Sequence, residues 1–283
     1  MSSALVAFVL TGALLHASWN ALVKSSADKA LDSALIHALR SVVAWPLLAW
    51  VGLPPPEALP FVCASAILHL AYYSALVGAY RHGDLSLGYP IMRGASPLLV
   101  AFVSSTALGE NLSLPAWSGV LAISTGVLLL AHSGGSLTKP KAVGFALLNA
   151  GVIALYTLVD ALGARTADQH GGHSLQYIAL LFALDGWAYA ALVMRKRLWT
   201  PALGYARRRL AWSLGGACAS AASYAIALWA MTLAPVAAVA ALRETSVLFA
   251  ALLGALLLGE RISRGKILGT LSILGGVLAL RLG

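Results

Sequence analysis

The chain has 283 residues, of which 60% are apolar and only 10% charged. With a mean hydropathy of +0.84, this excludes a soluble domain, where about 25% charged side chains is usual. The net charge of +9 is therefore no sign of a nucleic-acid partner, because in a lipid-embedded chain Lys and Arg collect on the cytoplasmic flanks.

Ten apolar segments follow one another, at about 4–23, 34–52, 58–80, 85–107, 114–131, 143–162, 174–194, 209–232, 235–258 and 263–281. Each is close to the roughly 20 residues that cross a bilayer at about 1.5 Å per residue. The first has no basic stretch ahead of it and runs on through Trp19 and Asn20 without a small-residue cleavage site, so it reads as a spanning helix and not as a cleaved leader. Connections such as Gly52 to Pro56, Arg81 to Asp84, Ser133 to Lys141 and Ala234-Pro235 are short and rich in breakers, which leaves function to the helices. The expected fold class is all-α: a polytopic membrane protein of ten transmembrane helices. Cys63 and Cys218 lie in apolar stretches of different halves and read as packing residues. No metal-ligand spacing is present, so neither a metal nor a cofactor is expected.

Shifting Arg93–Leu128 forward by 150 residues places it on Arg243–Leu278 with 14 of 36 positions identical, including the tripeptides Leu108-Gly109-Glu110 and Leu258-Gly259-Glu260. Five spans per copy is an odd number, which forces the second copy to enter the membrane from the opposite side. The expected division is 1–132 and 141–283, two inverted five-helix repeats. Gly119 and Gly126 in one copy, and Gly269, Gly275 and Gly276 in the other, read as sites of close helix approach.

Of the 19 Lys and Arg residues, 15 flank the odd-numbered connections, Arg40 counted among them, whereas Arg165 and Arg281 flank the other face and Arg93 and Arg243 lie within spans. The basic-loop rule then places the odd connections in the cytoplasm and both termini in the periplasm.

Arg93 and Arg243 sit about eight residues into the fourth and ninth spans, about 12 Å deep. At that depth an arginine faces a wet cavity or a partner. The options are a structural ion pair with Glu244, Asp160 or Asp185, or contact with a substrate carboxylate or phosphate, which guanidinium geometry suits. Pro97 removes the N–H that would bond the Arg93 carbonyl, and with Gly94 beside it a midmembrane kink is expected in the fourth span. Helical spacing aligns His16 and Asn20 with Trp19 alongside; His69 with Tyr73; Tyr89, Arg93 and Ser96; Asn149, Ile153, Tyr156 and Asp160; and Ser220, Ser223 and Tyr224. Polar faces on five helices imply something polar between them. The expected lining is His16, Trp19, Asn20, His69, Tyr73, Tyr89, Arg93, Ser96, Tyr156, Asp160, Tyr224, Arg243 and Glu244. Aromatic walls with a few charges suit a zwitterion with an apolar side chain. Asp160, Asp185 and Glu244 are candidates for proton coupling or structural counter-ions.

His16-Ala17-Ser18-Trp19-Asn20, the paired Leu-Gly-Glu tripeptides and the small-residue helices after them resemble the drug/metabolite transporter superfamily in its duplicated EamA form, over essentially the whole chain. Within it the chain looks like bacterial exporters of aromatic and other amino acids, and more distantly like exporters of purines, cysteine metabolites or drugs. The resemblance implies an inner-membrane exporter, a cavity formed by helices 1, 3, 4, 6, 8 and 9, and both termini in the cytoplasm, against the basic-loop count. It departs at Gly94, Ala95 and Ser96, where those exporters carry aromatic residues before the proline, which points to broad selectivity. Carriers of nucleosides or phosphorylated metabolites are the alternative. An intramembrane enzyme is disfavoured, since no His-Glu-x-x-His, Gly-x-Ser-x-Gly or Gly-x-Gly-Asp occurs.

Overall fold

The structure is a computed structural model that describes residues 1–82, 85–131, 140–195, 197–258 and 264–282, with the side chains of 73–74, 76–90, 131, 254–258, 264 and 266 excepted. Among these residues every regular element is helical: α1 (Ser3–Lys24), α2 (Lys29–Val51), α3 (Leu59–His82), α4 (Leu85–Ala107), α5 (Leu114–Ala131), α6 (Pro140–Gln169), α7 (Ser174–Met194), α8 (Trp199–Leu233), α9 (Val236–Glu244), α10 (Ser246–Leu258) and α11 (Arg264–Leu282). A 3-10 turn, Pro56–Ala58, precedes α3. Local chemistry fixes several starts: Ser2 Oγ accepts from the Leu5 N–H, Asp28 accepts from that of Leu31, and His173 and Gln176 form a capping box on α7.

Two spans differ from their expected form. α2 begins at Lys29 because Asp28 caps it there, which buries Arg40 well inside the helix instead of at its flank. α4 runs as one helix through Pro97, and a break that the sequence did not signal falls in the other copy, at Thr245 between α9 and α10. The Thr245 N–H bonds back three residues to the Leu242 carbonyl at 3.1 Å, and its hydroxyl donates to the same oxygen at 2.7 Å. The ladder tightens by one step there, and the helix is interrupted without a proline.

The α5–α11 crossing establishes the inversion. A Cβ on Gly119 would lie 2.8 Å from the Gly276 carbonyl oxygen, and one on Gly126 would lie 2.7 Å from that of Gly269. Gly119 and Gly269 are equivalent under the 150-residue shift, as are Gly126 and Gly276. Each glycine therefore meets the partner of the other, as a two-fold axis requires of an isologous contact. On the axis, Ser272 Oγ donates to the Ala122 carbonyl at 2.7 Å, again between equivalent positions. Contacts that advance along one helix while retreating along the other make α5 and α11 antiparallel, so the two copies cross the membrane in opposite senses. Gly275 has open space around it and takes no part.

The copies interleave. α3 and α4 pack on α6, α1 packs on α8, α9 and α10, and α2 meets α7, whereas α1–α2 and α3–α4 barely touch. Two bundles result, α3-α4-α6 and α1-α8-α9-α10, each drawing helices from both copies. They face each other across the pseudo-two-fold axis.

Candidate substrate site

Between these bundles lies a cavity of about 140 Å³ lined by residues of α1, α2, α3, α4, α6, α7, α8 and α9. One wall is an edge-to-face chain: His16 to Trp19 with ring centroids 5.4 Å apart, Trp19 to His37 at 6.0 Å, and His37 to Tyr189 at 5.5 Å. The opposite wall centres on Tyr156, stacked on His69 at 4.6 Å and meeting Tyr72 edge-on. Asn20 Nδ2 donates one hydrogen to the His16 carbonyl at 2.8 Å, which orients the amide at the cavity and leaves its second N–H and its oxygen unspent by that bond.

Three buried arginines supply the charge. Arg40 pairs with Asp185, donates to Ser220 Oγ at 3.4 Å and lies over the Phe182 ring. Arg93 is held by Glu244, Nε to Oε2 at 2.6 Å, and donates to Ser246 Oγ at 3.1 Å. Arg243 differs from both. It is 5% exposed and sits against the Tyr156 phenol, with Cζ 5.2 Å from the Tyr224 ring centroid, and no carboxylate among the described residues comes within ion-pair distance. Its Nε and Nη1, and the Trp19 indole N–H, are buried without an acceptor among the described residues. A buried donor left unmatched is expensive, so three donors of this kind, on two side chains at one cavity, mark a place for an acceptor-bearing ligand.

Of the residues expected at the site, the structure gathers His16, Trp19, Asn20, His69, Arg93, Tyr156, Tyr224 and Arg243 at the cavity. Ser96 is buried in α4 away from the lining, and Glu244 sits behind Arg93. Asp160 lies beyond the floor, accepting from the Tyr177 hydroxyl at 2.9 Å and the Tyr224 hydroxyl at 2.5 Å. The side chains of Tyr73 and Tyr89 lie outside the described residues, as does the Gly259-Glu260 pair of the second tripeptide. His37, Arg40 and Met92 also line the cavity and escaped the sequence reading; Tyr72, which lies beside the His69 stripe in sequence, lines it too. Arg40 was taken for a topology marker, although its spacing from His37 was a usable signal. The cavity thus draws on α2 and α7 as well as the six helices the resemblance implied.

A larger recess of about 590 Å³ opens at the face bearing the termini, between Phe8, Leu112, Trp229 and Leu280. Its lining contains no charged side chain, and it is separate from the polar cluster.

No curated protein matches the chain. A solved structure titled only "Crystal structure of protein" aligns over 100% of this chain and 98% of its own with a TM-score of 0.72 at 18% identity, which shows the same fold. The model of the EamA-like transporter family matches residues 140–282, half of the chain and nearly all of its second copy. That match covers half of the chain, and the chain belongs to the EamA-like transporter family of the drug/metabolite transporter superfamily.

Proposed function

We propose that this transporter exports amino acids of broad side-chain type across the bacterial inner membrane by alternating access. The observation that carries the reading is Arg243, whose two unmatched nitrogens border a small aromatic-walled cavity. A substrate carboxylate supplies the planar acceptor they lack. The contact expected at Arg93 passes to Arg243, because Glu244 already occupies Arg93. The ammonium meets Asp185, which faces the cavity and would share its carboxylate between the substrate and Arg40, and not Asp160, which lies outside the lining with its oxygens taken by two phenols. Trp19, Tyr72, His69 and Tyr156 receive the side chain. The volume of about 140 Å³ is below the ~300–1,000 Å³ of drug-sized sites, which favours a small zwitterion over nucleotides or drugs.

The interleaved packing supports rocking of α3-α4-α6 against α1-α8-α9-α10, with the α5–α11 crossing as the fixed element, in place of motion between residues 1–132 and 141–283 as blocks. Export is inherited from the resemblance, with protons as coupling ion. The basic-loop count, less the buried Arg40, places the odd connections in the cytoplasm. Labelling of a single cysteine at Gly204 by an impermeant reagent from the cytoplasmic side only supports that orientation, and labelling from the periplasm reverses it.

Counterflow into proteoliposomes tests the function. Phenylalanine and methionine should exchange and compete with each other. Exchange blocked by purines or sugar phosphates, with no response to amino acids, would transfer the site to those cargoes.

A further inference from the structure

We propose that Arg165 and Glu110 are gating residues of the transport cycle: together they latch the face that carries both termini, and releasing them opens the central cavity to that side. The inference rests on the alternating-access reading above and adds to it the groups that hold one gate closed.

Arg165 stands near the end of α6 and reaches across to the other bundle. Its Nε donates to the Met231 carbonyl of α8 at 2.8 Å, and Nη2 donates to the Ala234 carbonyl at 3.1 Å and to Glu110 Oε1 at 2.7 Å. Both accepting carbonyls belong to the end of α8 and its link to α9, where the helix leaves its last oxygens without intrahelical partners. Glu110 completes the bridge from the other side. Its two carboxylate oxygens accept the Val236 N–H, the first of α9, at 3.2 and 2.9 Å. One guanidinium and one carboxylate thus join α6 and the α4–α5 link to α8 and α9, which is where the two bundles would separate. Gly109 makes this possible: at φ +66 it turns the chain out of α4, and the Glu110 N–H returns to the Ser104 carbonyl at 3.1 Å.

Beneath the latch the path is already sealed. Tyr224, Asp160 and Tyr177 are linked by hydrogen bonds. Ala164 and Leu228, about one helical turn after Asp160 and Tyr224 in sequence, and Met231, whose carbonyl accepts from Arg165, are fully buried. Charge-assisted bonds of this kind are among the stronger ones a protein makes, and an element that bonds only one of two conformations shifts the population toward it.

The test is sided accessibility in oriented proteoliposomes. A Ser220→Cys reporter at the cavity, in a background without Cys63 and Cys218, is labelled by an impermeant thiol reagent. The parent should react much faster from the face of the odd connections. Arg165→Gln and Glu110→Gln should each raise labelling from the termini face by about tenfold or more. Arg165→Lys should restore part of the asymmetry, whereas the exchange Arg165→Glu with Glu110→Arg should not, since a glutamate cannot donate to the two carbonyls. If single variants misfold, Arg165→Cys with Ala234→Cys, bridged by a short bifunctional thiosulfonate, should bind substrate yet stop transport until reduced. Unchanged sidedness in folded Arg165→Gln, or transport at parental rate by the bridged protein, overturns the latch. Labelling that responds to Arg165 in a protein that moves no amino acid would remove the proposed cargo and leave the latch standing.

Discussion

Arg93 and Glu244 form a closed pair across the two copies, 2.6 Å from Nε to Oε2 with both side chains buried, while Arg243, the residue before that glutamate in sequence, has no carboxylate within ion-pair distance among the described residues. The duplication supplied two equivalent arginines, and among the described residues only Arg93 makes a direct ion pair, which is why the proposed binding role falls to Arg243. Removing one member of a buried pair leaves a charge stranded in low dielectric. Glu244→Gln should therefore lose about 3–5 kcal/mol of stability, read as a lower unfolding temperature in detergent. The double change Arg93→Met with Glu244→Leu should sit closer to the parent. An unchanged midpoint for Glu244→Gln would show that the pair holds nothing together.

Arg243 is expected to behave in the opposite way. Its guanidinium has aromatic neighbours and makes no direct ion pair among the described residues, so Arg243→Gln should fold with little change while substrate affinity falls. Losing a charged hydrogen-bond partner of about 1.5–3 kcal/mol corresponds to roughly 10- to 100-fold in apparent affinity. Counterflow measured over a range of substrate concentration reads this as a raised half-saturation point. Transport of phenylalanine and methionine by Arg243→Gln at parental affinity would remove the proposed carboxylate contact.

Much of this architecture was legible in the sequence for a physical reason. A bilayer demands apolar runs of fixed length, and a duplication of five spans leaves no choice about relative orientation. The Leu-Gly-Glu repeat was readable as a family mark, yet its mechanics were not, because the glutamate works on backbone groups more than 120 residues away. Stripes on α1, α3, α6 and α8 pointed to a shared polar interior only when taken together, since hydrogen bonding between helices accounts for any one of them alone. α2 and α7 were missed because Arg40 and Asp185 neutralise each other and look, one at a time, like a flanking base and a stray acid. The interruption at Thr245 was also invisible: proline is a strong sequence signal for a kink, but a threonine that bonds its own turn is not.

At the α5–α11 crossing, two backbones approach so closely that a single methyl group meets a carbonyl. Hydrophobic burial does not drive helix association inside lipid, so close packing has to carry it. Gly126→Ala should lower stability by about 1–3 kcal/mol through overpacking, and Gly126→Leu should prevent monodisperse folding. Gly275→Ala, one residue from the contacting Gly276 but in open space, should leave the protein unchanged. Detergent-phase elution profiles and unfolding midpoints separate the three. Equal loss from Gly126→Ala and Gly275→Ala would mean that the crossing is not where the stability resides.

Outside the membrane, Asp28 joins the first and seventh connections through Arg197, with a second bond from Arg197 Nη2 at 3.0 Å. Partial burial opposes its charge, but the Arg197 hydrogen bond and the Leu31 N–H outweigh that and hold its pKa below the ordinary 3.8. A carboxyl with a folded value below its unfolded one binds fewer protons in the folded state, so its stabilising contribution is complete above the unfolded value. That contribution is lost as pH falls through the folded value. Asp28→Asn should accordingly unfold at a lower temperature than the parent at pH 6–7, and the gap should close as the pH is taken below about 4. Because the pair is about a third exposed, salt should shrink the gap as well. A difference between the two proteins that persists unaltered through the acid range would show that Asp28 acts through its helix cap alone, since an asparagine keeps the cap and not the charge.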